Sequence, residues 1–505
     1  MRNLRTTIAA CLTATTVAGI ALGVPTVASA TTPNTLAPAA SATAKHVVVI
    51  GVDGLLFDRI APADAPNLDA MIASGYSSKT SLYADPMAPT LSGPGWATNL
   101  TGVWPDKHGV TSNSWGTGTN LSQYPDFLTR LEQANPSLST FADVSWNPIV
   151  DGSAGTPLIT SAVDDVQAAK GDADTAARAV AKVTSAGPNA SFVHFDDVDE
   201  AGHASGAASQ AYLDAIHEID GYIGQIRAAV AKRSDAADWS FIVTSDHGHT
   251  DAGGHGGSTP AERSSFILKT GSGIAKQTPA VAPKNVDIAA DVLHTFGIPI
   301  PGALDGRPLD AVSTDPFDTK AGALQARVDE TGIPATTLGW TKSMPTGWTV
   351  DNTGMGTGGV SEWRGWSLAS DVFWTGTETG QGREDNVRAR GVFAVADSDE
   401  WSDKSHTGTF NSRIVSAPYT VTGKTSATLS FASHYRKEGN ETASVLVSFD
   451  GGAWRNIETY TSDHIASIDT QTIAVPAGAK QMRVQWSLTN GDNNWYWAID
   501  APSVS

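Results

Sequence analysis

The chain runs to 505 residues, room for more than one domain at the usual ~150 residues each, and its 40% apolar content is enough for sizeable cores. Charged residues make up only 17%. A formal net charge of −19 leaves no surplus of Lys and Arg with which to grip a nucleic-acid polymer or an anionic membrane through the overall field. With 49 Gly and 26 Pro the chain is rich in loops, while its 15 Trp argue against global disorder.

Arg2 and Arg5 form a short basic start, an apolar stretch follows from Ile8 to Val24, and Ala28-Ser29-Ala30 offers a small-residue cleavage site. Residues 1–30 are therefore expected to be a secretory signal peptide, and the polar, Pro- and Ala-rich residues 31–44 a linker. Ile8-Ala9-Ala10-Cys11 also has the look of a lipoprotein box, but the few residues before it contain no apolar stretch. Cys11 is the only cysteine. Its place in the leader implies an exported product without disulfides, stabilised by packing and bound metal. No later segment is continuously apolar over the length of a membrane span, so a secreted, soluble protein is expected.

From residue 45 to 313 short apolar runs alternate with helical patterns. His46-Val47-Val48-Val49-Ile50 reads as a strand buried on both faces. Pro66 to Gly75 reads as a helix with Pro in its first turn and Gly past its end. Further strands are predicted at Ser191–Phe195 and Ser240–Thr244. Helices are predicted from Ser209 to Arg233, where Leu213, Ile216, Ile219, Ile223, Ile226 and Val230 form one stripe, and from Val286 to Phe296. This alternation implies an α/β domain whose sheet is mostly parallel and flanked by helices. After about Ala335 the helical periods vanish. Thr-, Val- and aromatic-rich runs between turns such as Asp450-Gly451-Gly452 predict an antiparallel β-sandwich over residues 341–505, joined by a linker at 314–340.

Three acids stand just past three predicted strands: Asp53, Asp199 and Asp246. In a parallel sheet the carboxyl ends of the strands share one edge, where ligands bind. His247 follows Asp246, His203 lies four residues after Asp199, and His255 sits among the glycines of Gly253-Gly254-His255-Gly256-Gly257. A single such Asp is by default a turn or cap residue; it is the joint occurrence that points to a mixed oxygen and nitrogen set for two divalent ions, zinc first. His108, His194, His217 and His249 are read as structural or solvated. Between the clusters, Ser92 in Pro89-Thr90-Leu91-Ser92-Gly93-Pro94 opens a helix predicted to reach Thr101 and stop at Gly102. A hydroxyl there is a cap by default, and beside a metal it is also a nucleophile.

The ordered set Gly51-Val52-Asp53-Gly54, Pro89 to Pro94, Thr101 to Val110, Asp199 to His203 and Ser245-Asp246-His247-Gly248 resembles the nucleotide pyrophosphatase/phosphodiesterase branch of the alkaline phosphatase superfamily. The likeness covers about half the chain, roughly Lys45 to Val312. It implies an alkaline-phosphatase-like catalytic domain with two Zn2+, one held by Asp53, Ser92, Asp246 and His247, the other by Asp199, His203 and His255. It also implies that Asn113 donates to a phosphate oxygen and that turnover passes through a phosphoryl-serine at Ser92. The expected substrate is a small anionic phosphate ester, a phosphodiester or nucleotide pyrophosphate.

The chain departs from that pattern in three places. Ser92 stands where Thr is frequent, Gly95-Trp96 replaces Asn-His and is expected to alter the pocket wall, and His255 follows His247 closely instead of lying far downstream. Phosphomonoesterase and sulfatase-like chemistries are the alternatives, the latter disfavoured because no Arg follows Ser92-Gly93-Pro94. A surface protein that binds glycan over an inactive scaffold is a third reading. In the C-terminal jelly-roll-like module, Trp363, Trp366, Trp374, Trp495 and Trp497 are read as core, with a sugar-stacking platform and glycan contact as the alternative. Asp397, Asp399 and Asp403 are a possible calcium (Ca2+) loop.

Overall fold

A computed structural model describes residues 45–505; the leader and linker expected over residues 1–44 lie outside the described residues. His46–Val52 is the central strand of a seven-stranded sheet and pairs in parallel with Ala190–Phe195 on one side and Trp239–Thr244 on the other. Thr140–Val144 and Asp165–Ala168 extend the parallel set beyond Ala190–Phe195. Ser264–Gly271 and Tyr76–Ser81 close the opposite edge in antiparallel fashion. The sheet is thus mostly parallel, as the alternating pattern implies.

The run of valines at positions 47–49 has a simple cause. Val47 and Val49 point into a core with Trp96, Leu100 and Leu293, whereas Val48, Ile50 and Val52 point into a second core with Ile216, Ile219 and Ile223. A strand covered on both faces has no polar side to show. The second core is completed by the helix Gln210–Ala231, whose apolar stripe was readable in the sequence. The helices Pro66–Ser74 and Asp287–Thr295 also form where expected.

The C-terminal half consists of two large antiparallel sheets around one core. Trp363, Trp366, Trp374 and Trp497 are fully buried in that core, and Trp495 packs partly against it. The interior reading holds for the four buried rings, while Trp495, partly exposed, carries the Arg436 guanidinium over its face at 4.1 Å. Residues 314–340 do more than connect: Phe317 is buried in the sandwich core, and Gln325–Ala326 pairs with Leu338–Thr341 at the edge of a sheet. Of the residues suggested for a calcium loop, Asp397 and Asp399 meet the buried Arg383, and Asp399 also groups with Glu378 and Glu400 as a set that could hold a metal. Asp397 accepts from Trp374 Nε1 at 2.8 Å and from Arg383 Nε at 3.2 Å. The same buried guanidinium reaches Glu400 at 2.7 Å and Asp399 at 3.4 Å.

Residues 45–505 form one compact unit, and ion pairs join its two halves. Arg390 makes a two-pronged pair with Asp287 (2.7 Å each), and Arg388 reaches Asp106 at 2.6 Å and Asp305 at 3.1 Å. Paired forks of this kind fix orientation as well as charge.

Candidate metal centre

Asp53 leaves the carboxyl end of the central strand, Asp246 and His247 follow Trp239–Thr244, and Asp199 and His203 lie one turn apart on the helix Asp197–Ser205 that follows Ala190–Phe195. Three neighbouring strands of like direction therefore deliver their functional side chains to one edge. The three remaining sequence-derived candidates, Ser92, Asn113 and His255, come to the same edge.

The first group is wholly enclosed. His247 Nε2 lies 3.3 Å from Asp53 Oδ1, 3.2 Å from Asp246 Oδ2 and 3.4 Å from Ser92 Oγ. Ser92 is the first residue of the helix Ser92–Thr101, as expected, but its hydroxyl caps no backbone N–H of that helix. Instead it faces the imidazole. The helix can come this close because residue 95 is Gly: a Cβ there would sit 2.6 Å from the Asp246 carbonyl oxygen.

Asn113 accepts the Gly93 N–H with Oδ1 at 2.7 Å. That bond fixes which end of the amide is which, and its NH2 is left as the free donor.

The second group shares a wall with the first, since the rings of His247 and His255 stack at 3.7 Å and 16°. Asp199 Oδ2 lies 3.2 Å from His203 Nε2, and His203 Nε2 is 3.0 Å from His255 Nε2. His255 Nε2 is 3.5 Å from Asp199 Oδ1. Two imidazoles are held from behind by carbonyls that can only accept, His247 Nδ1 by Gly248 at 3.1 Å and His255 Nδ1 by Thr90 at 2.8 Å. Both Nε2 lone pairs therefore face inward, the arrangement of metal-ligating histidine.

Two positions correct the sequence reading. His249, read as structural or solvated, is fully buried with Nε2 2.5 Å from Asp199 Oδ1, and groups with Asp199, His247 and His255. Gly54 and Gly202 make room for it, since a Cβ on either would fall within 2.8 Å of its ring. Its Nδ1 is buried and unpartnered. Trp96 forms no pocket wall; it is buried over Gly51 and donates Nε1–H to Asp53 Oδ2 at 2.8 Å. His194, fully buried, also meets Asp53 Oδ2 at 3.2 Å, His108 is buried against Thr98, and His217 bonds the Asp64 carbonyl at the surface.

The electrostatics call for cations. Asp53, Asp199 and Asp246 are buried, and no Lys or Arg pairs with any of them among the described residues. Asp53 Oδ1 and Asp246 Oδ2 accept no hydrogen bond, a costly state for buried carboxylates. Burial lowers the pKa of His247, but Asp246 and Asp53 overcome this and raise it to about 10. Burial and the neighbouring His247 lower His255 to about 4. Carboxylates and inward imidazoles that force a proton onto one ring suit divalent metal in place of that proton.

Residues 47–128 and 143–258 match the family model described as type I phosphodiesterase/nucleotide pyrophosphatase. Among curated relatives, the GPI ethanolamine phosphate transferase 2 of Aspergillus fumigatus is 24% identical over 253 residues, 46% of this chain and 32% of that protein. The human ectonucleotide pyrophosphatase/phosphodiesterase family member 7 is 25% identical over 221 residues, 40% of this chain and 48% of that protein. The chain thus spans a third to a half of the length of these relatives. A solved structure of murine ectonucleotide pyrophosphatase/phosphodiesterase 5 aligns with 15% identity and a TM-score of 0.42, over 51% of this chain and 96% of that one.

Proposed function

We propose that this chain, whose residues 47–128 and 143–258 match the type I phosphodiesterase/nucleotide pyrophosphatase family model, is an exported two-zinc hydrolase of phosphodiesters or nucleotide pyrophosphates with Ser92 as its nucleophile. The observation that carries this reading is the position of the Ser92 hydroxyl against the enclosed Asp53, Asp246 and His247 group, with Asp199, His203 and His255 across the shared imidazole wall.

Asp53, Ser92, Asp246 and His247 would hold one ion, and Asp199, His203 and His255 the other. When bound, such ions favour the ionised form of a serine hydroxyl and offset charge on the phosphoryl oxygens. The chain's own residues do the rest. Ser92 Oγ forms a bond to phosphorus as the ester P–O bond breaks and the alcohol or nucleotide departs. Water then cleaves the phosphoryl-serine and restores the hydroxyl. Asn113, its amide oriented by the Gly93 N–H, donates to a non-bridging oxygen; one such donor is worth about 3 kcal/mol of barrier. Export rests on the basic, apolar and small-residue sequence of residues 1–30.

The transferases among the relatives suggest a variation in which an acceptor alcohol takes the place of water at the second step. Hydrolysis of bis(p-nitrophenyl) phosphate and p-nitrophenyl phosphate by zinc-loaded protein, with and without an added alcohol, tests diester preference and acceptor together. Ser92→Ala should abolish turnover and keep its zinc. Wild-type turnover by this variant overturns the assignment of the nucleophile.

A further inference from the structure

Between the two halves lies a cavity of about 630 Å3, lined from the α/β side by residues such as Leu56, Arg263 and Lys284 and from the C-terminal side by Asp371 and Val372. That volume is within the ordinary range for small-molecule sites. Ser92 and the proposed zinc-holding side chains do not line it. Its floor backs onto the metal centre at Gly248, where a Cβ would meet Leu56 Cδ2 at 2.7 Å and the Ala261 carbonyl oxygen at 2.1 Å.

The charges around this cavity do not balance. Lys79 pairs with Asp58 and Arg59 with Asp251, each at 2.6 Å. Asp371 accepts from Ser81 at 2.6 Å and from Arg263 at 3.4 Å. Arg263 is further occupied by the Leu82 carbonyl and Thr375. Every carboxylate in the lining is thereby assigned. Lys284, only 7% exposed, is left over: its ammonium has no hydrogen-bond or ion-pair partner among the described residues. An ammonium on a mostly buried lysine with three unused donors is costly, and the nearby charges of Asp371 and Asp287 offset it only in part, without a direct bond. Burial accordingly lowers its pKa, with Asp371 opposing. Beside the paired charges and hydroxyls of the lining, Leu56, Pro260, Ala261, Pro283 and the outward-facing Val372 give this unpaired cation an apolar stretch of wall.

We propose that this cavity between the two halves is a second ligand site, distinct from the metal centre, which takes a small amphiphilic monocarboxylate with its head group on Lys284 and its apolar body against Leu56, Pro260 and Val372. A single unmatched positive charge calls for a single negative one. The aliphatic walls call for a hydrocarbon body, not a sugar or a nucleotide.

Octanoate is the probe, with octan-1-ol as its uncharged counterpart, each titrated into the full chain by calorimetry and by thermal shift. Octanoate should bind the wild type and raise its Tm. Octan-1-ol should bind about tenfold more weakly, the change expected for loss of one charge-assisted hydrogen bond. Lys284→Met, close in shape and neutral, should lose octanoate by the same factor, and Lys284→Arg should restore most of it. The thermal transition of each variant without ligand reports its folding separately. Failure of octanoate to bind the wild type, equal affinity for octan-1-ol, or undiminished octanoate binding by folded Lys284→Met overturns the proposal. None of these readouts depends on phosphate-ester hydrolysis.

Discussion

Replacing Gly95 by alanine is the sharpest test of how this fold positions its hydroxyl. The added Cβ would lie 2.6 Å from the Asp246 carbonyl oxygen and 2.8 Å from Asp246 Cβ. Ordinary contact is about 3.5 Å, so the first turn of the helix and the backbone of Asp246 must part by about 1 Å. The neighbours cannot absorb this by rotating a side chain, because the closest atom belongs to the main chain. Ser92 and Asp246 sit on the two sides of the widened gap, and a displacement of this size costs on the order of 100-fold in rate. Overpacking of a close-packed contact costs about 1–3 kcal/mol in stability, which a domain of this size tolerates. Zinc-loaded Gly95→Ala should therefore fold, with a lower denaturation midpoint. Its kcat/KM on bis(p-nitrophenyl) phosphate should fall by about two orders of magnitude. Wild-type kcat/KM in the folded variant would show that the spacing between helix and strand end is irrelevant to turnover, and the assignment of Ser92 would go with it.

Three further outcomes follow from the geometry. His249→Leu should weaken zinc binding by about 10- to 100-fold, the usual effect of removing a group that orients or supplements a ligand; competition with a chelator of known affinity measures it, and unchanged affinity refutes a role at the Asp199 carboxylate. Arg390→Ala should cost about 3–5 kcal/mol in urea denaturation, since it strands the buried Asp287 carboxylate without its fork; a loss under 1 kcal/mol would mean the pair adds nothing. Burial raises Glu441 to about 8, far above its unfolded value of about 4.3. The folded state then holds one more proton than the unfolded state between those limits, so this residue's contribution to stability declines as pH rises through that window. Glu441→Gln should flatten the decline by up to about 2.7 kcal/mol between pH 5 and pH 7, and parallel pH curves for the two proteins count against it.

The pieces legible in the sequence are those with a local signature. A continuous run of β-branched residues marks a strand covered on both sides, and acids at or within a few residues of the ends of such runs mark the ligand edge, so Asp53, Asp199 and Asp246 are legible in the sequence. His249 escaped because a lone histidine beside glycines has no periodic context. The signal was nevertheless there: His249 lies two residues past His247, in the same stretch beyond the strand Trp239–Thr244. Trp96 reads as pocket wall because a large aromatic stands one helical turn from the Ser92 hydroxyl. Only the register that sets it over Gly51 shows that it lies beneath the site. Residues 314–340 read as a linker because their irregular turns have no period, although Phe317 is as deeply buried as any core residue.

The arginine forks at the seam bear on how this protein can be taken apart. A chain cut between residues 314 and 340 would leave Asp287 and Asp305 on one fragment and Arg388 and Arg390 on the other, each carrying bare charges shaped for an absent mate. Neither fragment is a cassette to be grafted onto another enzyme without redesign of that face. Over generations, substitutions along the seam should therefore arise as matched changes on both sides, so the sandwich is inherited together with its α/β half.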